Sequence, residues 1–150
     1  MSLKAKLQGD LNEAIKSRDT VVAETVRMIL AAITNEEVAG KEKKELSDAE
    51  VITVLTREAK KRREAAEAFE QGGRADRAAA ERAEGEVIAR YLPEQLSEAE
   101  LNTLIAETIA AVGAAGPSDM GKVMGALKAK VAGKADGATV SNLVKAALSK

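Results

Sequence analysis

The residues with most to offer chemically lie between Asp119 and Lys145, in the stretch DMGKVMGALKAKVAGKADGATVSNLVK. It is rich in lysine, glycine and alanine. A lysine becomes a nucleophile only where burial depresses its pKa. Here Lys122, Lys128, Lys130 and Lys134 stand beside glycines and alanines and read as solvated point charges. Gly121-Lys122 and Gly133-Lys134 lack the preceding strand and the glycine spacing of a phosphate loop. The two carboxylates of the stretch, Asp119 and Asp136, fall where helix starts are expected, and capping accounts for them. The chain has no cysteine and no histidine, which removes thiol nucleophiles, disulfides, imidazole acid–base work and zinc ligation by those residues. No catalytic residue, metal ligand or cofactor is assigned. The chemistry that remains is recognition of an anion by fixed positive charge.

The elements that must position these lysines are two short helices joined by a glycine-bounded loop. Ser118 is placed to cap the first, with Asp119 at the positive end of its dipole. Gly133 is placed to stop it, and Asp136 to cap the second. At 100° per residue, Met120, Val123, Met124, Leu127 and Val131 share one arc and form the buried face. Gly121, Gly125, Ala126 and Ala129 fall on the other side, edged by lysines. A glycine inside a helix costs roughly 1 kcal/mol relative to alanine, so two of them ask for an explanation. One is a neighbouring helix packed closely against them. The other is a partner backbone, such as a phosphate strand, that needs close approach. The candidate binding residues are Gly121, Lys122, Gly125, Lys128, Lys130, Lys134 and Lys145.

Bulk charge does not favour a polyanion, because the 150 residues sum to −1. The distribution does. Residues 118–150 hold six lysines against two aspartates, whereas residues 94–117 hold four glutamates and no basic residue. The basic stretch has no interleaved aromatic residue, so base stacking is not expected. A second basic run, Arg57 to Arg63, holds five positive residues and one glutamate. It reads either as a second phosphate-facing patch or as a solvated helix face with pairs such as Glu58 to Arg62 at i,i+4, and the second is favoured because the run covers several sides of a helix.

The rest of the chain reads as helices. There is one Phe, one Tyr and no Trp, so the core is aliphatic and thin, and no β alternation appears. Leu3, Leu7, Leu11 and Ile15 make the first apolar stripe, after Ser2 as cap. Val22, Val26, Ile29 and Ile33 make the second, after Asp19, with Gly40 as its end. Lys41 to Glu45 is a charged connection, either loop or helix extension. Ser47 with Glu50 matches a capping box ahead of Val51, Leu55, Ala59, Ala66 and Phe69. Gly72-Gly73 breaks that helix, and Asp76 to Arg90 resumes with Ala79, Ala83, Val87 and Ile88 near one face. Pro93 ends it, and Tyr91 and Leu92 are placed to pack between the two halves. Ser97 and Glu100 form another box before Leu101, Leu104, Ile105, Ile109 and Val112. Val140, Leu143, Val144, Ala147 and Leu148 line the last helix. The expected fold is all-α. Residues 1–93 are an antiparallel four-helix bundle, and residues 94–150 a small three-helix domain. No apolar run spans a membrane, no apolar signal segment opens the chain, and a cytoplasmic location is expected.

Three blocks carry a resemblance. The segment Asp119 to Leu148 resembles the C-terminal signature of the GatB/YqeY family. Tyr91-Leu-Pro-Glu-Gln-Leu-Ser resembles the hinge motif of its stand-alone members, and Arg27-Met-Ile-Leu-Ala-Ala-Ile-Thr-Asn-Glu its N-terminal helix motif. The resemblance covers essentially the whole chain. It implies kinship with the tail domain of the glutamine-dependent tRNA amidotransferase, a module also fused to some bacterial glutaminyl-tRNA synthetases and associated with tRNA binding. The amidotransferase's two active sites lie outside that tail.

The reading that follows is a non-catalytic tRNA-binding accessory module, weak on its own. An aminoacyl-tRNA synthetase or an amidotransferase subunit is the kind of partner implied. One alternative is a protein-interaction module of the translation or amidotransferase machinery. A second alternative is carbon–nitrogen ligase activity, which rests on the family label alone.

Overall fold

A computed structural model describes all residues, Met1–Lys150. It contains seven α-helices, one 3-10 turn and no strand. The helices are α1 (Leu3–Ser17), α2 (Thr20–Glu37), α3 (Asp48–Gln71), α4 (Ala75–Ala89), α5 (Glu98–Val112), α6 (Met120–Val131) and α7 (Gly137–Leu148). No helix is long and apolar enough to cross a membrane. The chain divides into two compact units, Met1–Leu92 and Pro93–Lys150.

Local capping sets most of the boundaries. Ser2 Oγ accepts from Ala5 N–H at 3.1 Å, and Asp19 Oδ1 from Val22 N–H at 3.2 Å. Ser47 with Glu50 and Ser97 with Glu100 form complete capping boxes, each satisfying two otherwise unpaired donors. α2 stops at Glu37 and not at Gly40. The buried Glu37 explains the early stop. Its Oε1 accepts from Lys4 Nζ at 2.8 Å, its Oε2 from Leu46 N–H at 3.1 Å, and its backbone oxygen from Lys44 N–H at 2.9 Å. These bonds fold the 38–47 connection back onto the helix end as a tied, non-helical loop. They also hold the Glu37 carboxyl below the ordinary glutamate range, the Lys4 bond first and the Leu46 amide next.

The first unit has one core. Leu7 from α1, Val26, Ile29 and Ile33 from α2, Val51, Val54 and Leu55 from α3, and Val87 and Ile88 from α4 are all buried in it. A fully buried Leu, Ile or Val contributes about 1.5–3 kcal/mol over exposure, so these side chains dominate the unit's stability. Ile15 is not among them. It is 47% exposed, and Ala14 takes the buried place. Likewise Ala79 is exposed and Ala78 is buried. The expected packing of Tyr91 and Leu92 is seen on one side only, that of the first unit. They lie on the core of the first unit, where Tyr91 O–H donates to Asp10 Oδ2 at 2.6 Å.

The basic run of α3 is also organised differently from its expected pairs. Glu58 pairs with Lys61 at 3.0 Å, not with Arg62. Arg62 instead reaches α4, with Glu84 at 3.1 Å and Glu81 at 3.5 Å. Arg57 meets Glu36 of α2 at 3.4 Å. In this run Lys60 and Lys61 pair within α3, with Glu64 and Glu58, and Arg57 and Arg62 tie α3 to other helices.

The second unit has its own core. Leu101 and Ile105 of α5, Val123, Leu127 and Val131 of α6, and Val140, Val144 and Leu148 of α7 close on one another. Leu104, Ile109, Val112, Met120 and Met124 pack around them. Each of the three helices touches the other two.

Candidate nucleic-acid interface

α6 presents its apolar arc to this core, which fixes what it presents to solvent. Val123 and Leu127 are fully buried. Gly121, Gly125 and Ala129, at four-residue intervals, make an exposed row on the far side. Lys122 and Lys130 stand in the neighbouring row and Lys128 flanks the other edge, all exposed. A Cβ built on Gly121 or Gly125 would meet nothing within 4 Å. Of the two explanations for these glycines, a closely packed helix within the chain is therefore removed. The face is open.

The start of α6 differs from expectation. A 3-10 turn, Pro117–Asp119, leads into Met120, and no side chain caps the helix. Ser118 makes no cap, and Asp119 Oδ2 turns back to accept from Ala115 N–H at 2.8 Å. Asp119 thus holds the connector and leaves the first turn of α6 without a carboxylate cap. At the far end, Lys128 and Lys130 lie in the last turn, where the helix dipole favours cations.

Lys134 is placed by a turn. α6 ends at Val131, and Gly133 takes φ 73°, a left-handed geometry that favours glycine. Gln95 Nε2 donates to Gly133 O at 2.7 Å, and Leu96 N–H donates to Lys134 O at 2.9 Å. The segment after Pro93 therefore clasps the 133–134 turn and holds Lys134 just beyond α6, exposed. Spacing along the sequence carries no sign of Gln95 in this role, because its partner is a backbone oxygen 38 residues away. Asp136 caps α7, accepting from Thr139 N–H at 3.0 Å. Lys145 is exposed in the last turn of α7, on a different helix from the other candidates.

The structure thus gathers Gly121, Lys122, Gly125, Lys128 and Lys130 on the outward side of one helix, with Lys134 after its end. None of Lys122, Lys128, Lys130, Lys134 or Lys145 is in an ion pair. The surface offers positive point charges around backbone that another chain can approach closely. It can bind an anion.

Two comparisons with known proteins bear on this arrangement. Residues 4–148 match the family model described as Yqey-like protein. The chain is also 34% identical over 97 residues to an uncharacterized protein of Schizosaccharomyces pombe, covering 64% of this chain and 76% of that one. Matched from its first helix to its last, the chain belongs to the YqeY-like protein family.

Proposed function

We propose that this protein is a non-catalytic tRNA-binding accessory module. The observation that carries the reading is the outward face of α6. A Cβ added at either of its glycines would meet nothing within 4 Å, and the lysines around them have no carboxylate partner. Unpaired ammonium groups beside exposed helix backbone suit a phosphate strand that must come close. The resemblance to amidotransferase tail domains supplies the kind of polyanion. Contacts of this type read the shape of a folded RNA and carry no base sequence.

Binding by the isolated chain is weak, because the whole molecule carries −1. A catalytic partner holding the same tRNA supplies the rest of the affinity by raising the effective concentration. Filter binding of tRNA over a salt series tests the reading. Each lysine that neutralises a phosphate releases condensed counterion, at a slope of about −0.7 to −0.9 per contact. Two to four contacts give a slope of log K against log salt of roughly −2 to −4.

One observation favours a second reading. Gly121, Gly125 and Ala129 repeat at four-residue intervals, a spacing that also lets a partner helix lie close. In that case the face is a docking site for a protein of the translation machinery, and affinity for the partner is nearly independent of salt.

A further inference from the structure

The first unit holds a polar cleft that the reading above leaves unused. It is a solvent-open groove of about 360 Å³ along one face of α1, between the start of α2 and the chain just after α4. That volume lies at the small end of ligand sites. Ala14 and Val22 give it an apolar floor. Its walls carry charge of both signs. Lys6 and Arg90 supply the positive groups, and Asp10, Glu13 and Asp19 the negative ones.

Each of these charges keeps capacity for a ligand. Lys6 lies 5.5 Å from the centre of the Tyr91 ring and forms no ion pair, and Arg90 forms none either. Asp10 commits Oδ2 to the Tyr91 hydroxyl at 2.6 Å, which leaves Oδ1 open. Asp19 uses Oδ1 for the cap of α2. Glu13 has only Lys16 at 3.5 Å, with both side chains 75% exposed, a kind of pair that contributes little. No group of three carboxylates is close enough to hold a metal ion, so the negative wall suits an organic cation better than a bare one. The bond to Asp10 and the packing of Tyr91 fix the ring that supports Lys6, so one corner of the cleft is held in place.

We propose that this cleft binds a small zwitterion of the amino-acid type. The acid group pairs with Lys6 and Arg90, and the ammonium group lies against Asp10 Oδ1 and Glu13. A ligand with both charges engages groups of both signs. A purely anionic or purely cationic ligand meets charge of its own sign in the groove. The site belongs to the first unit and stands independently of the α6 surface.

Ligand-observed NMR on the full chain, with each of the twenty free L-amino acids as probe, tests the proposal. At least one should bind saturably below about 10 mM. Its N-acetyl derivative, which lacks the ammonium group, and its decarboxylated amine should each bind about tenfold more weakly, the loss of one charge-assisted hydrogen bond. Lys6→Met and Asp10→Asn should weaken the parent amino acid by a similar factor. Asn keeps an oxygen for the Tyr91 hydroxyl, so Asp10→Asn preserves the corner. Glu13→Gln alters a side chain that the fold does not use, and should weaken binding several-fold with the helical circular dichroism unchanged. The proposal is overturned if no amino acid binds saturably. It is equally overturned if the singly charged analogues bind as well as the parent, or if all three variants bind as well as the wild type.

Discussion

The chain concentrates positive charge in two places, and the two differ in how much of it is paired, since in the Arg57 to Arg63 run only Arg63 meets no carboxylate. On α3, Arg57, Lys61 and Arg62 each meet a carboxylate within 3.5 Å, and Lys60 meets Glu64 at 4.0 Å. On α6 and the turn after it, Lys122, Lys128, Lys130 and Lys134 meet none. The sign of the run is the same in the sequence. What differs is the third dimension, which brings Glu36, Glu81 and Glu84 to α3 from other helices. A cation already paired must give up its carboxylate before it takes a phosphate. An unpaired one gives up only water and small ions. Basic content alone therefore does not locate a polyanion site. The proposed site is placed where that charge is unpaired.

The largest effect expected from breaking this contrast is on stability, at Arg62. Its side chain is 19% exposed and serves both Glu81 and Glu84. Arg62→Ala leaves two partly buried carboxylates without their cation and should cost about 2 kcal/mol, read from urea unfolding. Lys122→Ala with Lys130→Ala, on the open side of α6, should stay within about 0.5 kcal/mol of the parent.

Gly125→Leu sharpens the other half of the comparison. The added side chain enters open space, so overpacking is not expected. Helix propensity should raise stability by roughly 0.5–1 kcal/mol. The same branch lifts a partner off the backbone, so tRNA affinity should fall. Circular dichroism melts and filter binding on one preparation check both directions. A loss of stability would show that the face is packed after all.

A smaller effect concerns the paired carboxylate of Glu37. Its folded pKa lies below the ordinary value, so the stabilisation is present above the unfolded pKa, about 4.3, and is lost as pH falls through the folded value. Wild type should exceed Glu37→Gln in unfolding free energy by a constant margin near neutral pH. That margin should shrink steadily below about pH 4.3. A margin that grows in acid contradicts the role given to Lys4 and Leu46.

What the sequence makes legible follows from how local each interaction is. Both capping boxes and the caps Ser2, Asp19 and Asp136 depend on residues three apart, and all appear in the structure. The apolar arc of α6 is equally local, and with it the outward placement of its glycines and lysines. Ile15 departs from its expected stripe for a geometric reason. A strict four-residue spacing drifts 40° per step, so by the third step the stripe begun at Leu3 has turned 120° away, and Ala14 faces the core. Ala78 escapes the pattern because alanine gives a faint hydrophobic signal. Its face of α4 also carries Glu81 and Glu84, whose partner Arg62 lies on another helix. The end of α2, the pairing of Glu58 and the clasp of Gln95 on Gly133 depend on residues distant in sequence or on one of several local partners. No periodicity encodes them.

The contrast between paired and unpaired charge is tested most directly by tRNA binding across a salt series with two double variants measured side by side. One removes Lys122 and Lys130 by alanine substitution, and the other removes Arg57 and Lys61 from α3. The account predicts that the first loses affinity for all tRNAs alike and flattens the slope of log K against log salt by about 1 to 2, whereas the second keeps the parent slope. If the first binds as the parent does at every salt concentration while the second loses slope, the α3 run is the polyanion site and the assignment to α6 is wrong.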